Sequence, residues 1–306
     1  MSYKGNISVY VDNSVPLFRT RLKNLMSKSG VEIRELDLWI GKVNFLKWAW
    51  HLKWSEPRIV HYLWGYHGLT PYIVPKLLGK KVIIHWIGSD AFIATSTKEP
   101  LVRALLRKIA YRMADMHLAD FEPLANQIRS LGINAIVLPT VPDMALSPED
   151  TTWPFENTVL VYLPHGKEDF YGGSIVFRLA QEFTEVKFMV VANEGKDMPQ
   201  LPNVEYLGWV NLSTIWKKVK IYVRLTRTDG QAKMVIEALA RGKHVIWSYE
   251  YPFCRQVRNF EDARDALRDI LNNNQPNIEG MDWAQRTFEP SKMARNYKDV
   301  YLKVLS

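Results

Sequence analysis

Residues 220–248 read KIYVRLTRTDGQAKMVIEALARGKHVIWS, and this stretch decides the fold of the second half of the chain. An apolar, β-branched run that ends at Leu225 predicts a strand, and Asp229 and Gly230 stand in the loop after it. Helical spacing of apolar residues then predicts a helix over 231–241, followed by another short apolar run. The stretch therefore predicts a strand, a helix and a parallel strand, which is the repeating unit of an α/β protein.

The same alternation extends over the whole chain. Besides 221–225, the predicted strands are 7–11, 31–38, 58–63, 81–85, 116–119, 135–138, 158–163, 187–191, 204–207 and 244–247, with helical patterns between most of them. Strands that alternate with helices predict a parallel sheet covered on both faces. We therefore expect two Rossmann-like domains facing a cleft, with ligands bound at the carboxyl ends of the strands.

A segment rich in proline, residues 139–154, interrupts this pattern and predicts the linker. The domains predicted from it are 1–145 and 146–290, with a closing segment at 291–306. The charge is divided at the same place: residues 1–145 hold 19 basic and 11 acidic side chains, whereas the remainder holds 21 of each. The whole net charge of +8 thus lies in the first half, which indicates an anionic partner such as phospholipid, a phosphorylated acceptor or nucleic acid.

Cysteine content and hydropathy bear on the compartment. Cys254 is the only cysteine of the 306 residues, so a disulfide framework within the chain is excluded and a reducing cytoplasm is favoured. The first residues have no apolar run of signal-peptide length, and no run of about 18 apolar residues predicts a membrane span. We expect a cytoplasmic protein that is soluble or bound to the inner face of the membrane.

Several chemistries leave signatures that this sequence lacks. No two glycines stand two residues apart, which excludes the G-x-G-x-x-G dinucleotide motif, and no P-loop is present. No Asp-x-Asp pair is present, and one cysteine cannot build a zinc cluster. His61 and His67 would meet at a metal only by accident of folding. We predict no metal site and no resident cofactor.

The loop and helix of 220–248 predict an anion site. A helix that begins near Gln231 would present free N–H groups and its positive dipole end to a diphosphate. Glu237, two turns inside, would suit a ribose. The alternative is structural: Lys233 and Glu237 would form an exposed i,i+4 pair, and Asp229 would cap the helix.

These residues also resemble a known family. Asp229, seven intervening residues, Glu237 and the ALARGKHVI that follows are similar to the motif of family-four, retaining glycosyltransferases of the GT-B fold. Segments 84–90 (IHWIGSD), 114–123 (ADMHLADFEP) and 203–210 (NVEYLGWV) are similar to other stretches of that family. The resemblance extends over about 58–250, and 284–305 resembles the C-terminal helix that crosses back to the first domain.

The resemblance implies a metal-independent hexosyltransferase that moves a sugar from a nucleotide-sugar donor on the second domain to an acceptor on the first. It implies catalytic roles for Asp229, His85 and Asp90, and ribose binding by Glu237. Donor contacts are implied for Gly230, Gln231, Lys233, Lys167, His165, Trp209 and Val210, and acceptor contacts for Asn13 and Ser89.

The sequence departs from the family pattern at the expected diphosphate contacts. Gln231 and Ala232 stand where the family has Phe-Gly, and Asp229 stands where it usually has glutamate. The lysine position of the loop after the first strand of the second domain holds Tyr171. Lys167 and His165, slightly out of register, are the predicted substitutes. A nucleotide- or sugar-binding protein without turnover, and a basic nucleic-acid-binding protein with 11 tryptophans, remain alternatives.

Two helices of the first half suit a membrane surface. Residues 43–54 (VNFLKWAWHLKW) combine tryptophan and lysine, and residues 101–113 carry Arg103, Arg107, Lys108 and Arg112. Both patterns fit an anionic bilayer and a lipid-linked acceptor. The alternative is that 43–54 is an ordinary helix covering the sheet and that 101–113 has a solvated basic face.

Overall fold

The computed structural model describes residues 7–36, 45–66, 68–96 and 100–306. The chain divides into two compact units. The first comprises Met1–Val141, Thr228–Gln231 and Pro290–Ser306, and the second comprises Pro142–Arg227 and Ala232–Glu289. The sequence analysis placed the division at residue 145 and assigned the whole of 146–290 to the second domain.

The first unit is built on a parallel sheet of six strands. They follow the order β2-β1-β3-β4-β5-β6, and every pair is parallel. The strands are β1 (Ile7–Asp12), β2 (Val31–Leu36), β3 (Ile59–Tyr62), β4 (Lys81–Trp86), β5 (Met116–Ala119) and β6 (Ala135–Val137). The helices are α1 (Pro16–Met26), α2 (Phe45–Trp54), α3 (Thr70–Leu77), α4 (Ser89–Ser96), α5 (Leu101–Arg112) and α6 (Glu122–Arg129).

The second unit repeats the architecture with the strand order β12-β11-β10-β7-β8-β9. Its strands are β7 (Thr158–Tyr162), β8 (Lys187–Val191), β9 (Val204–Gly208), β10 (Ile221–Arg224), β11 (His244–Trp247) and β12 (Arg255–Gln256). Its helices are α7 (Gly173–Glu182), α8 (Lys233–Leu239), α9 (Phe260–Asn273) and α10 (Ile278–Thr287). Apolar residues of β7, β8 and β10 pack against α7 and α9 to form the core on one face of this sheet.

The last helix, α11 (Pro290–Leu305), belongs to the first unit. Met293, Tyr297, Tyr301 and Val304 recur at helical spacing and are buried, so one stripe of the helix is packed. The predicted fold class is confirmed: each unit has a parallel, Rossmann-like sheet, and the closing helix lies on the first unit.

Several predicted bounds are wrong. The segment 284–305, which resembles a single helix, contains the end of α10 and then α11, because Pro290 lacks an N–H and starts a new helix. The closing helix predicted at 291–306 is α11. Helix α4 and the two-residue strand β12 were not predicted. Of the helix predicted over 43–54, residues 43 and 44 lie outside the described residues, as does His67.

Candidate functional site

The carboxyl ends of β7 and β10, neighbours in the second sheet, hold an arginine against a pair of tyrosines whose ring centres are 5.3 Å apart. Arg224 is the last residue of β10, and its Cζ lies 5.4 Å from the ring centre of Tyr162 and 5.3 Å from that of Tyr171. Aromatic faces attract a guanidinium and hold it in place. Its Nη1 donates to the hydroxyl of Tyr222 at 3.4 Å, and that hydroxyl in turn contacts Met234 of α8. Arg224 therefore lies on the face of the sheet that α8 covers.

Arg224 was missed by the sequence analysis, although Tyr171 was recognised as standing at the lysine position of the resemblance. The available signal was weak. It was only an arginine at the last position of an otherwise apolar strand, where the residue meets the loops that carry ligands in parallel sheets. The pairing of Arg224 with Tyr171, 53 positions earlier in the sequence, depends on β10 lying beside β7.

The loop after β7 contains Lys167 and His165, the two residues that the sequence analysis selected as substitutes for the diphosphate contacts of the family. Lys167 is exposed, and its N–H donates to the carbonyl of Pro164 in a tight turn. His165 is also exposed, with its Nδ1 3.7 Å from the carboxylate of Glu168. The carboxylate of Glu168 accepts from the N–H of Gly166 and from the side chain of Asn193, so Glu168 shapes this loop.

Helix α8 is shorter than predicted. It begins at Lys233 instead of near Gln231 and has seven residues, and its N-cap is Ala232. Asp229 does not cap it, so that alternative is wrong, and so short a helix gives little support to the predicted anion site at its N-terminus. The side chains of Gln231 and Lys233 are buried. Asp229, Gly230 and Gln231 belong by their contacts to the first unit.

Glu237 is buried and holds the start of the second unit. One of its carboxylate oxygens accepts from the N–H of Asp143 at 3.0 Å. Arg241, one turn further on, donates to the carbonyls of Glu237 and Ala145, each at 3.1 Å. The side chains of Glu237 and Lys233 are 4% and 8% exposed, so the alternative of an exposed ion pair is wrong.

The loop after β9 presents a large aromatic surface. Trp209 is 79% exposed and Val210 is 37% exposed, directly after the glycine that ends this edge strand. An exposed indole can stack on a nucleobase. The side chain of Trp209 is thus available for the base contact that the resemblance implies around these two residues.

A cavity of about 440 Å³ opens in the second unit after β7 and β10. Its lining includes Gly172 and Ser174 at the start of α7, Leu225 and Arg227 after β10, and Arg258 before α9. Both arginines are exposed. Because Leu225 belongs to the core of α7 and α9, this cavity lies on the sheet face opposite Arg224.

In the first unit, two buried carboxylates organise the loops at the carboxyl ends of the strands. Asp12, at the end of β1, accepts from the N–H of Leu63 and the hydroxyl of Tyr66. Asp90, in the first turn of α4, accepts from the N–H groups of Gly65 and Gly88, each at 2.9 Å. Burial raises the pKa of both carboxyl groups above its ordinary value, while the N–H groups lower it. Asp90 thus joins the loops after β3 and β4 and is fully buried, so the structure gives it no open surface for a substrate.

His85 is also part of the interior of the first unit. Its ring stacks on that of His61, with centres 5.5 Å apart, and its Nε2 lies 2.7 Å from the carbonyl oxygen of Leu138. His61 in turn bonds to the hydroxyl of Tyr301 on α11. His85 is 0% exposed, and its ring packs and hydrogen-bonds inside the unit.

The two residues predicted for the acceptor are exposed. Asn13 follows β1 and Ser89 begins α4 after β4. Both therefore lie at the carboxyl edge of the first sheet, where ligands of open parallel sheets bind.

Two backbone segments of the first unit approach each other closely at Gly88 and Gly230. A Cβ atom on Gly230 would overlap the carbonyl oxygen of Ile87, and one on Gly88 would lie 2.8 Å from the nitrogen of Gly230. Gly88 has φ of 141°, a conformation that other residues rarely adopt. Only glycine fits at either position, and Asp229 is thereby held next to the loop after β4.

Known structures with this architecture superimpose on nearly the whole chain. HepE from Anabaena in complex with UDP-glucose superimposes with a TM-score of 0.73 at 10% identity, covering 96% of this chain and 99% of HepE. The GT-B fold is therefore established for this chain. Sucrose-phosphate synthase from Thermosynechococcus elongatus gives 0.74 at 10% identity, covering 98% and 99% of the two chains. A glycosyltransferase from Rickettsia africae gives 0.68 at 12% identity, covering 99% and 100%. No protein-family model matches the sequence, and no curated protein matches it.

Two further observations concern what this GT-B chain can bind. Among the described residues, no group of three or more histidine, cysteine, aspartate or glutamate side chains is arranged to hold a metal ion. No helix in the described ranges is both long enough and apolar enough to cross a bilayer. The catalytic and binding roles of the selected residues stay predictions.

Proposed function

We propose that this chain is a glycosyltransferase that uses a nucleotide sugar, with the donor on the second unit and the acceptor on the first. The observation that carries the proposal is the cation held at the carboxyl ends of β7 and β10, Arg224 packed against the rings of Tyr162 and Tyr171. It supplies positive charge where this chain has Tyr171 in place of the lysine that is usual in family-four enzymes. The fold shared with HepE, whose structure contains UDP-glucose, supports a UDP-sugar as the donor.

The proposed chemistry is the transfer of one sugar. The bond between the anomeric carbon and the phosphate oxygen breaks, while an acceptor oxygen bonds to that carbon and loses its proton to the departing phosphate. Negative charge grows on the nucleoside diphosphate, so fixed cations nearby stabilise the transition state more than the bound donor. In this proposal Arg224 and Lys167 supply those cations and no metal is needed. Retention of configuration rests on the resemblance alone.

The nucleoside part of the donor is proposed to meet Trp209, Val210 and Glu237. The exposed indole of Trp209 offers a stacking surface for the base. Glu237, whose carboxylate accepts from the N–H of Asp143, would also bind the ribose. Asp229 is proposed to contact the transferred sugar, and the backbone of Gly230 to lie near the diphosphate.

The acceptor is proposed to be lipid-linked or otherwise held at the inner face of the membrane, with the chain acting in the cytoplasm. Support comes from the charge of +8 confined to residues 1–145 and from the single cysteine, Cys254. Asn13 and Ser89, exposed at the carboxyl edge of the first sheet, are the proposed acceptor contacts.

Titration calorimetry with UDP, GDP, UDP-glucose and GDP-mannose tests the donor proposal. We expect saturable binding of one nucleoside diphosphate, and slow release of that diphosphate from its sugar conjugate. Binding without any release would favour a sugar-nucleotide-binding protein. Binding of single-stranded nucleic acid with no affinity for any of the four ligands would overturn the proposal.

A further inference from the structure

Four helices of the first unit cover one face of the sheet. From β2 to β3, β4, β5 and β6 the chain advances across the sheet in one direction, and right-handed crossovers place α2, α3, α5 and α6 on the same face. Helix α3 lies between α2 and α5 and contacts both. Helix α1 connects strands in the opposite direction and packs against α11 on the other face. The outer side of the α2, α3 and α5 layer is therefore one continuous side of the first unit.

Helix α5 turns its apolar stripe outward. Val102, Leu105, Leu106 and Ile109 recur at the i, i+3, i+4 and i+7 positions and are 69%, 59%, 46% and 44% exposed. Such a stripe normally faces the core. Among the residues of α5 whose burial is described, only Ala110 and Tyr111 are buried, and they form the side that faces the sheet. The apolar stripe is therefore a surface feature.

Positive charge flanks this stripe. At 100° per residue, Arg103 lies on one side of it, and Lys108 and Arg112 lie on the other. All three are exposed. Helices α2, α3 and α5 contain no aspartate or glutamate, and the one lysine of α3, Lys76, is paired with Asp115 in the loop between α5 and β5.

Helix α2 adds aromatic surface to the same layer. Trp50 and Trp54 are each 66% exposed, with ring centres 5.6 Å apart, and the ammonium of Lys53 lies over the ring of Trp54. Leu77, the last residue of α3, is 78% exposed. Exposed tryptophan and lysine beside aliphatic side chains are typical of helices that lie in a bilayer interface.

We propose that the outer face of α2, α3 and α5 docks on an anionic lipid bilayer, with the stripe Val102, Leu105, Leu106 and Ile109 inserted among the lipids. Cations on both sides of the stripe would meet the headgroups. Two copies of the chain would not pair through this face, since each brings excess cations and no carboxylate from its three helices, and like charges repel. The link between this surface and a lipid-linked acceptor rests on the proposed function. Binding to vesicles does not, because it requires no donor.

Co-sedimentation with phosphatidylcholine vesicles, with and without phosphatidylglycerol, tests this surface. We expect binding to the anionic vesicles that falls as salt rises. The variant Leu105→Ser/Leu106→Ser keeps every charge, and we expect it to bind at least about tenfold more weakly because the inserted apolar area is lost. Leu17→Ser is the matched control, since Leu17 is 57% exposed on α1 at the opposite face, and it should bind like the wild type.

A second pair of variants separates insertion from charge. Arg103→Ser/Lys108→Ser should weaken binding mainly at low salt, whereas Lys28→Ser/Arg295→Ser, which removes two exposed cations near α1 and from α11, should not. Wild-type binding by Leu105→Ser/Leu106→Ser would overturn the inserted stripe. A wild type that ignores anionic vesicles but forms a dimer broken by that variant would assign the face to a second copy instead. Circular dichroism and UDP titration of each variant show whether fold and donor site survive, so failure of this inference is distinguishable from failure of the proposed function.

Discussion

The N–H of Asp143 donates to a carboxylate oxygen of Glu237 at 3.0 Å, so the glutamate that the sequence analysis assigned to a ribose also anchors the start of the second unit. Arg241 strengthens this anchor through the carbonyl of Ala145. A carboxylate has two oxygens and about four acceptor positions, so a bond to the backbone is compatible with bonds to a ligand. The two roles can be separated by substitution.

Glu237→Ala should lower both stability and UDP affinity. Loss of the acceptor leaves the N–H of Asp143 unpaired, which costs about 1–3 kcal/mol of unfolding free energy, and loss of the ribose bonds costs about 1.5–3 kcal/mol of binding free energy. Glu237→Gln retains an acceptor oxygen and should unfold close to the wild type in urea. If Glu237→Ala matches the wild type in both urea unfolding and UDP titration, neither role is correct.

Arg224→Met should weaken UDP binding while leaving uridine binding unchanged. Methionine keeps apolar contact with Tyr162 and Tyr171 but carries no charge, so only the phosphate contacts are lost, about 1.5–3 kcal/mol. Arg178→Met is the matched control, because the guanidinium of Arg178 also lies over an aromatic ring, that of Phe260 on α9. Equal losses for UDP and uridine would mean that the substitution disturbs the unit and that Arg224 is not a phosphate contact.

Lys167→Ala tests the second proposed cation. The side chain is exposed, so its removal should leave thermal stability unchanged and lower UDP affinity more than uridine affinity. Lys218→Ala removes another exposed lysine of the same unit and should have no effect on either ligand. An unchanged UDP affinity in Lys167→Ala would mean that Lys167 does not contact the diphosphate, and Arg224 would be the only proposed cation left at that site.

Gly230→Ala should displace the Thr228–Gln231 segment from the loop after β4. The added Cβ would overlap the carbonyl of Ile87, and relieving such overpacking typically costs about 1–3 kcal/mol. We expect a lower melting temperature, and loss of sugar transfer because Asp229 moves. Gly68→Ala, whose Cβ would lie 3.9 Å from Pro71, is the control and should melt like the wild type. A Gly230→Ala variant with wild-type melting and turnover would show that this close approach is dispensable.

His117 should make the protein less stable at acid pH. Its ring accepts from the indole N–H of Trp86 and bonds through Nε2 to the carbonyl of Tyr111, and burial lowers its pKa to about 4. Because the unfolded chain has the ordinary pKa near 6.5, it binds more protons between about pH 6.5 and 4, so stability falls by up to about 3 kcal/mol as the pH drops through that window. Urea unfolding of the wild type and of His117→Asn at both ends of the window measures the difference. An equal acid dependence in the two proteins would assign the loss to other groups.

The alternation of apolar runs and helical spacing determined most of the architecture from the sequence alone. Nearly every predicted strand lies within a residue or two of its observed position, because the interior strands of a parallel sheet must be apolar on both faces and cannot be confused with loops. The bounds of the helices were less certain. The segment 284–305 resembles one helix but holds a break before Pro290, and α8 begins later than its apolar spacing indicates.

The sequence also selected the segments that carry the candidate site, but only the tertiary structure decided which side chains are available. His85 and Asp90 lie in the segment 84–90 that resembles the family, yet His85 stacks on His61 and Asp90 accepts loop N–H groups inside the unit. Arg224 and Tyr171 are distant in sequence, and the pairing of β10 with β7 brings them together. The apolar stripe of α5 has the periodicity of an ordinary core helix. Periodicity predicts that such a stripe forms one face, but the packing of the neighbouring elements decides whether that face meets the sheet or the solvent.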